Sequence, residues 1–164
     1  MRDDAGVTAS KTRRGQLRDA RRVLFICVEN SNRSQMAEAF ARMHGGQAVV
    51  AASAGSRPSG KVNPRAVAMM AERGYDLTTH RSKSVSDLRP EHWDWVITMG
   101  CGDDCPVVQA GHHDDWPLPD PRDLDDADAR AVRDEVERRV LALLEAEGIV
   151  PRPNRSTPHP SAPR

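Results

Sequence analysis

The chain has 164 residues and a formal net charge of zero, from 24 basic and 24 acidic side chains. One domain of ordinary size fits that length, with residues to spare at both ends. The zero sum excludes a uniformly basic nucleic-acid binder and an acidic solvating protein, yet it conceals a split: residues 1–22 carry +4, residues 151–164 carry +3 and residues 23–150 carry −7.

Residues 1–21 lack apolar periodicity and read as a disordered basic arm. They hold no apolar stretch of the kind a secretory signal needs. Residues 23–27 (VLFIC) form a short apolar run, as a buried parallel strand does. A polar turn over 29–32 leads into a helix over 34–43. Met36, Ala39, Phe40 and Met43 share one face of it, and Gly45-Gly46 ends it. A second strand spans 47–52 and closes on Ser53-Ala54-Gly55. Asn63 caps and Pro64 opens a second helix, which runs to about Arg73 and stops at Gly74. Residues 93–99 read as a third strand, broken by Gly100. A loop with Cys101 and Cys105 follows, then a short fourth strand over 113–116. Asp126 or Asp128 caps a last helix reaching about Glu147, with Val132, Val136, Val140, Leu141, Leu143 and Leu144 as its apolar stripe. The tail, 150–164, holds five of the chain's twelve prolines and reads as extended and disordered. No apolar run reaches the ~18 residues of a membrane helix. The expectation is therefore a cytoplasmic domain over 22–149, with no membrane contact.

Strands alternating with helices imply a parallel sheet with helices on both faces. Ligands bind such sheets beyond the carboxyl ends of the strands. Cys27, Ser53, Met99 and Trp116 all fall near those ends.

The segment Cys27-Val28-Glu29-Asn30-Ser31-Asn32-Arg33-Ser34 carries the most chemistry. A thiol at a strand end, just before a helix N-terminus, sits where orphan N–H groups and the helix dipole favour negative charge. The thiolate is the nucleophilic form. Arg33 can swing its guanidinium fork back over the loop to match two oxygens of a tetrahedral oxyanion. Ser34 can donate a hydrogen bond to the thiolate. The plain alternative is a buried strand-end cysteine followed by an ordinary first-turn arginine. Strand, loop and helix in this order favour the nucleophile.

This loop resembles that of the low-molecular-weight protein tyrosine phosphatase superfamily. Its continuation Ser34-Gln35-Met36-Ala37-Glu38-Ala39 is similar to the arsenate reductase branch. So are Ser53-Ala54-Gly55, residues 62–67 (VNPRAV), residues 74–77 (GYDL), residues 80–84 (HRSKS), residues 96–99 (VITM) with the two-cysteine loop, and Asp120-Pro121. The resemblance implies a three-layer α/β/α sandwich around a central four-stranded parallel sheet. It implies Cys27 as nucleophile, Arg33 and Ser34 as its partners, and residues 28–33 as the cradle for arsenate, with phosphate or sulfate as competitors. Asp120 would be the general acid, although an Asp before Pro is also a common turn residue. Asn30 and Ser53 would hold the loop by hydrogen bonds. Asn30, Glu38 and Ser53 match positions that can contribute to a potassium site, or are structural polar residues. Arg57, Lys61, Arg81 and Lys83 add positive field around the pocket or are solvated surface charges.

Three cysteines are an odd count, poor for a secreted disulfide framework. Cys101 and Cys105 could be a zinc half-site, but only His112 and His113 lie near in sequence as further ligands. They could be two ordinary thiols. The resemblance implies a third reading, a relay. Cys27 attacks arsenate, Cys101 attacks Cys27 as arsenite leaves, and Cys105 attacks Cys101. The resulting Cys101–Cys105 disulfide is cleared by thioredoxin, with a mycothiol or glutathione route as the alternative.

Three departures from the family stand out: Glu29, Asn32 in place of a frequent second loop cysteine, which excludes a disulfide within the loop, and a Cys101–Cys105 spacing shorter than in the best-known members. Glu29 occupies a loop position where the family usually carries Gly; its carboxylate must point away from a bound anion. No aromatic residue follows Asp120, where the phosphatase branch presents rings to an aryl group. That disfavours the runner-up, hydrolysis of phosphotyrosine or a similar monoester through a phosphocysteine. A non-enzymatic oxyanion sensor would have no use for Asp120 or the paired thiols. The basic ends suggest no specific nucleic-acid partner. The oligomeric state is not encoded in these features.

Overall fold

The computed structural model describes residues 20–102 and 105–152. The arm and tail expected at the two ends lie almost wholly outside the described residues. Strands β1 (Arg21–Cys27), β2 (Val49–Gly55), β3 (Trp93–Thr98) and β4 (Ala110–Asp115) form one sheet in the order β2-β1-β3-β4, parallel throughout. The helices are α1 (Arg33–Gly45), α2 (Pro64–Ala71) and α3 (Asp126–Ala146).

The alternation along β1 divides the core. Val23, Phe25 and Cys27 face the layer built by α1, α2 and α3, where Met36, Phe40, Met70, Val136 and Val140 pack against them. Leu24 and Ile26 face the opposite way. There they meet Trp93, Val96 and Cys101, with Val85, Leu88, Cys105 and Val108 at the margin. The central strand is thus buried on both faces, which is why it reads as an unbroken apolar run. Leu24, Phe25 and Ile26 are fully buried, each contributing about 1.5–3 kcal/mol of transfer free energy. The expected four-stranded parallel sheet is present, but all three α-helices pack on one of its faces. Between β2 and β3 the second outer layer is a 3₁₀ turn (Val85–Asp87), not a long helix.

The element boundaries differ from the sequence expectation in informative ways. Ser53-Ala54-Gly55 does not close β2 but belongs to it, paired in register with Phe25, Ile26 and Cys27. A 3₁₀ turn (Gly46–Ala48) delays the start of β2 to Val49. Helix α2 has the expected Asn63 cap, whose side chain accepts from the Arg65 N–H, but it ends at Ala71. Asp125, not Asp126 or Asp128, caps α3: its carboxylate accepts from the Asp128 N–H at 2.8 Å. Leu141 is half-exposed, while Arg133 is buried on that face and donates to the Met69 carbonyl. Strand β4 starts earlier than 113 because it is a polar edge strand, AGHHDD, largely exposed. Such edges discourage pairing with other chains and carry no apolar signal. Only Trp116, buried just past the strand, announced it.

Candidate active site

β1 delivers Cys27 to its carboxyl end, and α1 begins at Arg33, so residues 28–32 must turn between them. Every carbonyl from Cys27 to Asn32 is bound by a donor from outside the loop's concave side. Cys27 O accepts from Ser56 N, Val28 O from Arg57 N, and Glu29 O from both Ser59 N and Ser82 Oγ. Asn30 O accepts from Gln35 Nε2, Ser31 O from Asn63 N, and Asn32 O from Met36 N. A trans peptide points its N–H opposite to its C=O. Six carbonyls tied outward therefore turn the loop's N–H groups inward, as a nest for an anion. α1 adds its own N-terminus: Asn32 makes no side-chain cap and the first turn holds no acid. The first-turn N–H groups stay free of any such rival for an anion.

Cys27 lies at this nest with its sulfur 2.8 Å from Ser34 Oγ. Ser34 Oγ also accepts from Asn30 Nδ2 at 2.8 Å. An amide NH₂ only donates, so the single hydroxyl proton of Ser34 is left for the sulfur. Asn30 is fully buried and has φ +50°, a left-handed conformation that Asn tolerates better than most residues. Its Oδ1 accepts from Gln35 Nε2 at 2.9 Å and from Lys83 N at 3.0 Å. These two bonds fix which end of the amide faces Ser34.

Arg33 is buried, and its Nη1 donates to Met99 O at 2.9 Å and Leu118 O at 2.8 Å. With Nη1 so anchored, Nε and Nη2 remain for a ligand. Asp120 approaches from the other side: Oδ2 stands 3.8 Å from Arg33 Nη2, and Oδ1 accepts from Asn32 Nδ2 at 3.4 Å. The same Oδ1 accepts from Arg122 N and caps the 3₁₀ turn Pro121–Asp123. Asp120 is therefore a turn residue and a site residue at once: Oδ1 serves both the turn and Asn32, and Oδ2 faces Arg33. The Glu29 carboxylate pairs with Arg122.

Cys101 and Cys105 form a disulfide with Cα atoms 5.5 Å apart, an ordinary span, and Cys27 is free. Cys101 is buried and Cys105 half-exposed. Among the described residues no cluster of three or more His, Cys, Asp or Glu is suited to a metal ion.

Ser53 departs from its expected role. Its Oγ is buried with no hydrogen-bond partner, so it does not hold the loop. Glu38 is already surrounded: His80 Nδ1 lies 2.8 Å away, Arg42 Nη2 3.6 Å and Lys83 Nζ 3.9 Å. Burial pushes the Glu38 carboxyl up, but the His80 hydrogen bond and the charges of His80, Lys83 and Arg42 outweigh it and hold it below its ordinary value. With Asn30 Oδ1 also committed, this donor set does not fit a potassium ion. Lys83 is no solvated surface charge either, whereas Arg57, Lys61 and Arg81 are exposed.

Sequence reasoning used Gly55 and Gly100 only as marks of strand ends, without their contacts at the site. A Cβ on Gly55 would stand 2.6 Å from Val28 O, so only Gly lets β2 approach the loop there. Gly100, with φ +81°, turns the chain after β3, and a Cβ there would meet Arg33 Nη1 at 3.2 Å. Sequence reasoning passed over the support behind Asn30. Tyr75 Oη lies 2.6 Å from His80 Nε2, and His80 Nδ1 lies 2.9 Å from Gln35 Oε1. The resemblance pointed to segments 34–39, 74–77 and 80–84 without giving these side chains a task.

A strand–loop–helix anion nest with a cysteine at its base defines a class of protein. The chain belongs to the low molecular weight phosphotyrosine protein phosphatase family, which matches residues 22–149. Within it, the chain is similar to proteins named for arsenate reduction. It is 37% identical over 127 residues to a glutaredoxin arsenate reductase of Synechocystis sp., covering 76% of this chain and 96% of that one. It is 34% identical over 121 residues to an arsenate reductase of Staphylococcus xylosus, covering 72% and 92%. Among solved structures, an arsenate reductase in the phosphate binding state superposes with a TM-score of 0.71 at 36% identity, covering 77% of this chain and 98% of that one. A thioredoxin-dependent arsenate reductase of Corynebacterium glutamicum superposes with a TM-score of 0.65 at 31% identity, covering 84% and 70%.

Proposed function

We propose that this protein reduces arsenate to arsenite with electrons from its own cysteines, which a dithiol such as thioredoxin then restores. The observation that carries the reading is the division of three thiols: Cys27 is free at the base of the anion nest, and Cys101 is oxidised to Cys105 beside the same strand ends. A phosphatase of this fold has no need of that second pair.

The loop N–H groups and the free edge of Arg33 hold arsenate. The Cys27 thiolate attacks arsenic, and one oxygen leaves as water with a proton from Asp120. Arsenic is still pentavalent in this adduct. The Cys101 thiolate then attacks Cys27 Sγ. The S–As bond breaks with its electron pair going to arsenic, so trivalent arsenite leaves and a Cys27–Cys101 disulfide remains. The Cys105 thiolate attacks Cys101 Sγ and frees the Cys27 thiolate. The product is the Cys101–Cys105 disulfide, with Cys105 as its more accessible sulfur. An external dithiol reduces it by the same exchange. Phosphate and sulfate compete for the nest by shape and charge. Among the described residues no helix is long and apolar enough to cross a membrane.

The test is arsenate-dependent NADPH oxidation with thioredoxin and thioredoxin reductase, run beside Cys27→Ser, Cys101→Ser and Cys105→Ser. All three variants are expected to lose multiple turnover. Strong aryl phosphate hydrolysis without arsenate turnover overturns the reading in favour of a phosphatase. Turnover supported only by glutathione or mycothiol replaces the dithiol by a small thiol.

A further inference from the structure

Glu29 and Arg122 are not used by this chemistry. Arg122 Nη1 donates to both Glu29 carboxylate oxygens, at 2.9 and 3.1 Å. Glu29 lies two residues after the nucleophile, and Arg122 two residues after Asp120. A second link joins the same two segments, since Asp120 meets Asn32 Nδ2 at 3.4 Å and Arg33 Nη2 at 3.8 Å. The oxyanion loop and the acid-bearing turn are thus joined by two sets of contacts. An isolated exposed ion pair contributes little. Here each link holds the segments in place for the other, so less side-chain entropy is lost per contact.

We propose that the Glu29–Arg122 pair determines specificity: it fastens the acid-bearing turn across the rim of the nest so that a bare tetrahedral oxyanion is accepted and the organic group of a monoester is turned away. The side chains it places there are charged and partly exposed. The pair also neutralises the loop's one carboxylate, which would otherwise repel an approaching anion. The inference rests on the reductase reading only for which oxyanion is the natural one.

Binding can be read without turnover. In protein carrying the Cys101–Cys105 disulfide, Cys27 is the free cysteine, so its alkylation by iodoacetamide reports occupancy of the nest. Half-protecting concentrations are measured for inorganic phosphate and for phenylphosphonate. The unchanged protein should favour phosphate. In Glu29→Gln/Arg122→Gln, which removes the pair without stranding a charge, the preference should fall about tenfold, the low end of what shape discrimination supplies. The single Arg122→Gln variant should move the ratio the same way. A preference within about threefold of the unchanged protein in both variants overturns the proposal, as does a purely structural effect that weakens both ligands equally. Failure of arsenate turnover would sink the reductase reading and leave this ratio intact.

Discussion

The Ser34 hydroxyl lies 2.8 Å from the Cys27 sulfur and already accepts a hydrogen bond from Asn30, so its proton has one place to go. It stabilises a thiolate and gives nothing to a thiol acceptor elsewhere. A hydrogen bond to a charged group is worth about 1.5–3 kcal/mol, or roughly ten- to a hundredfold in rate. Ser34→Ala should slow iodoacetamide alkylation of Cys27 at neutral pH, and arsenate turnover, by about that factor. Unchanged alkylation would remove Ser34 from the thiolate's support.

Gly55 is the point where β2 touches the oxyanion loop. In Gly55→Ala the new methyl would stand 2.6 Å from Val28 O and 3.1 Å from Asn30. Overpacking of this kind costs about 1–3 kcal/mol, and the loop must shift to relieve it. The expected outcome is a fold that persists by circular dichroism with phosphate protection of Cys27 weakened about tenfold. Protection at the original concentration would show that the loop does not depend on this approach.

The relay predicts a trapped species. Cys105→Ser, given one equivalent of arsenate, should release arsenite once and stop with a Cys27–Cys101 disulfide. A peptide map under non-reducing conditions reads the linkage directly. Alkylatable Cys27 after arsenite release would mean that an external thiol, not Cys101, completes the reduction.

Glu38 gives a pH dependence with a definite sign. Its carboxyl is held below the ordinary 4.5 in the fold. The stability it contributes is complete above that ordinary value and is lost as the pH falls through the folded one. Urea unfolding from about pH 6 to about pH 3 should therefore weaken the unchanged protein more than Glu38→Gln. Equal loss in both would place the acid sensitivity on other carboxylates.

Much of this was legible in residue order. The apolar run ending at Cys27, the turn, and the helix starting at Arg33 put a thiol at a helix N-terminus whatever else the chain does. The Asn63-Pro64 start of α2 was equally plain, because a capping side chain and a fixed φ act locally. The polar strand β4 was half visible, since its pattern is that of an exposed edge and only Trp116 is buried. Ser53 was misjudged: its hydroxyl invites a hydrogen bond, and its place in β2 leaves it none.

The sequence by itself determined the chemistry available: one thiol at a strand end, a guanidinium six positions on, two further thiols and a loop aspartate. Local rules of strand, turn and helix suffice for that, because they act over a few residues. Only the tertiary structure decided how those groups meet. The outward anchoring of six loop carbonyls, the Arg33 clamp on Met99 and Leu118, and the Glu29–Arg122 pair join segments as many as 93 residues apart. No periodicity records such contacts. They exist because the parallel order β2-β1-β3-β4 brings the carboxyl ends of four strands to one end of the sheet, where buried polar groups must find partners.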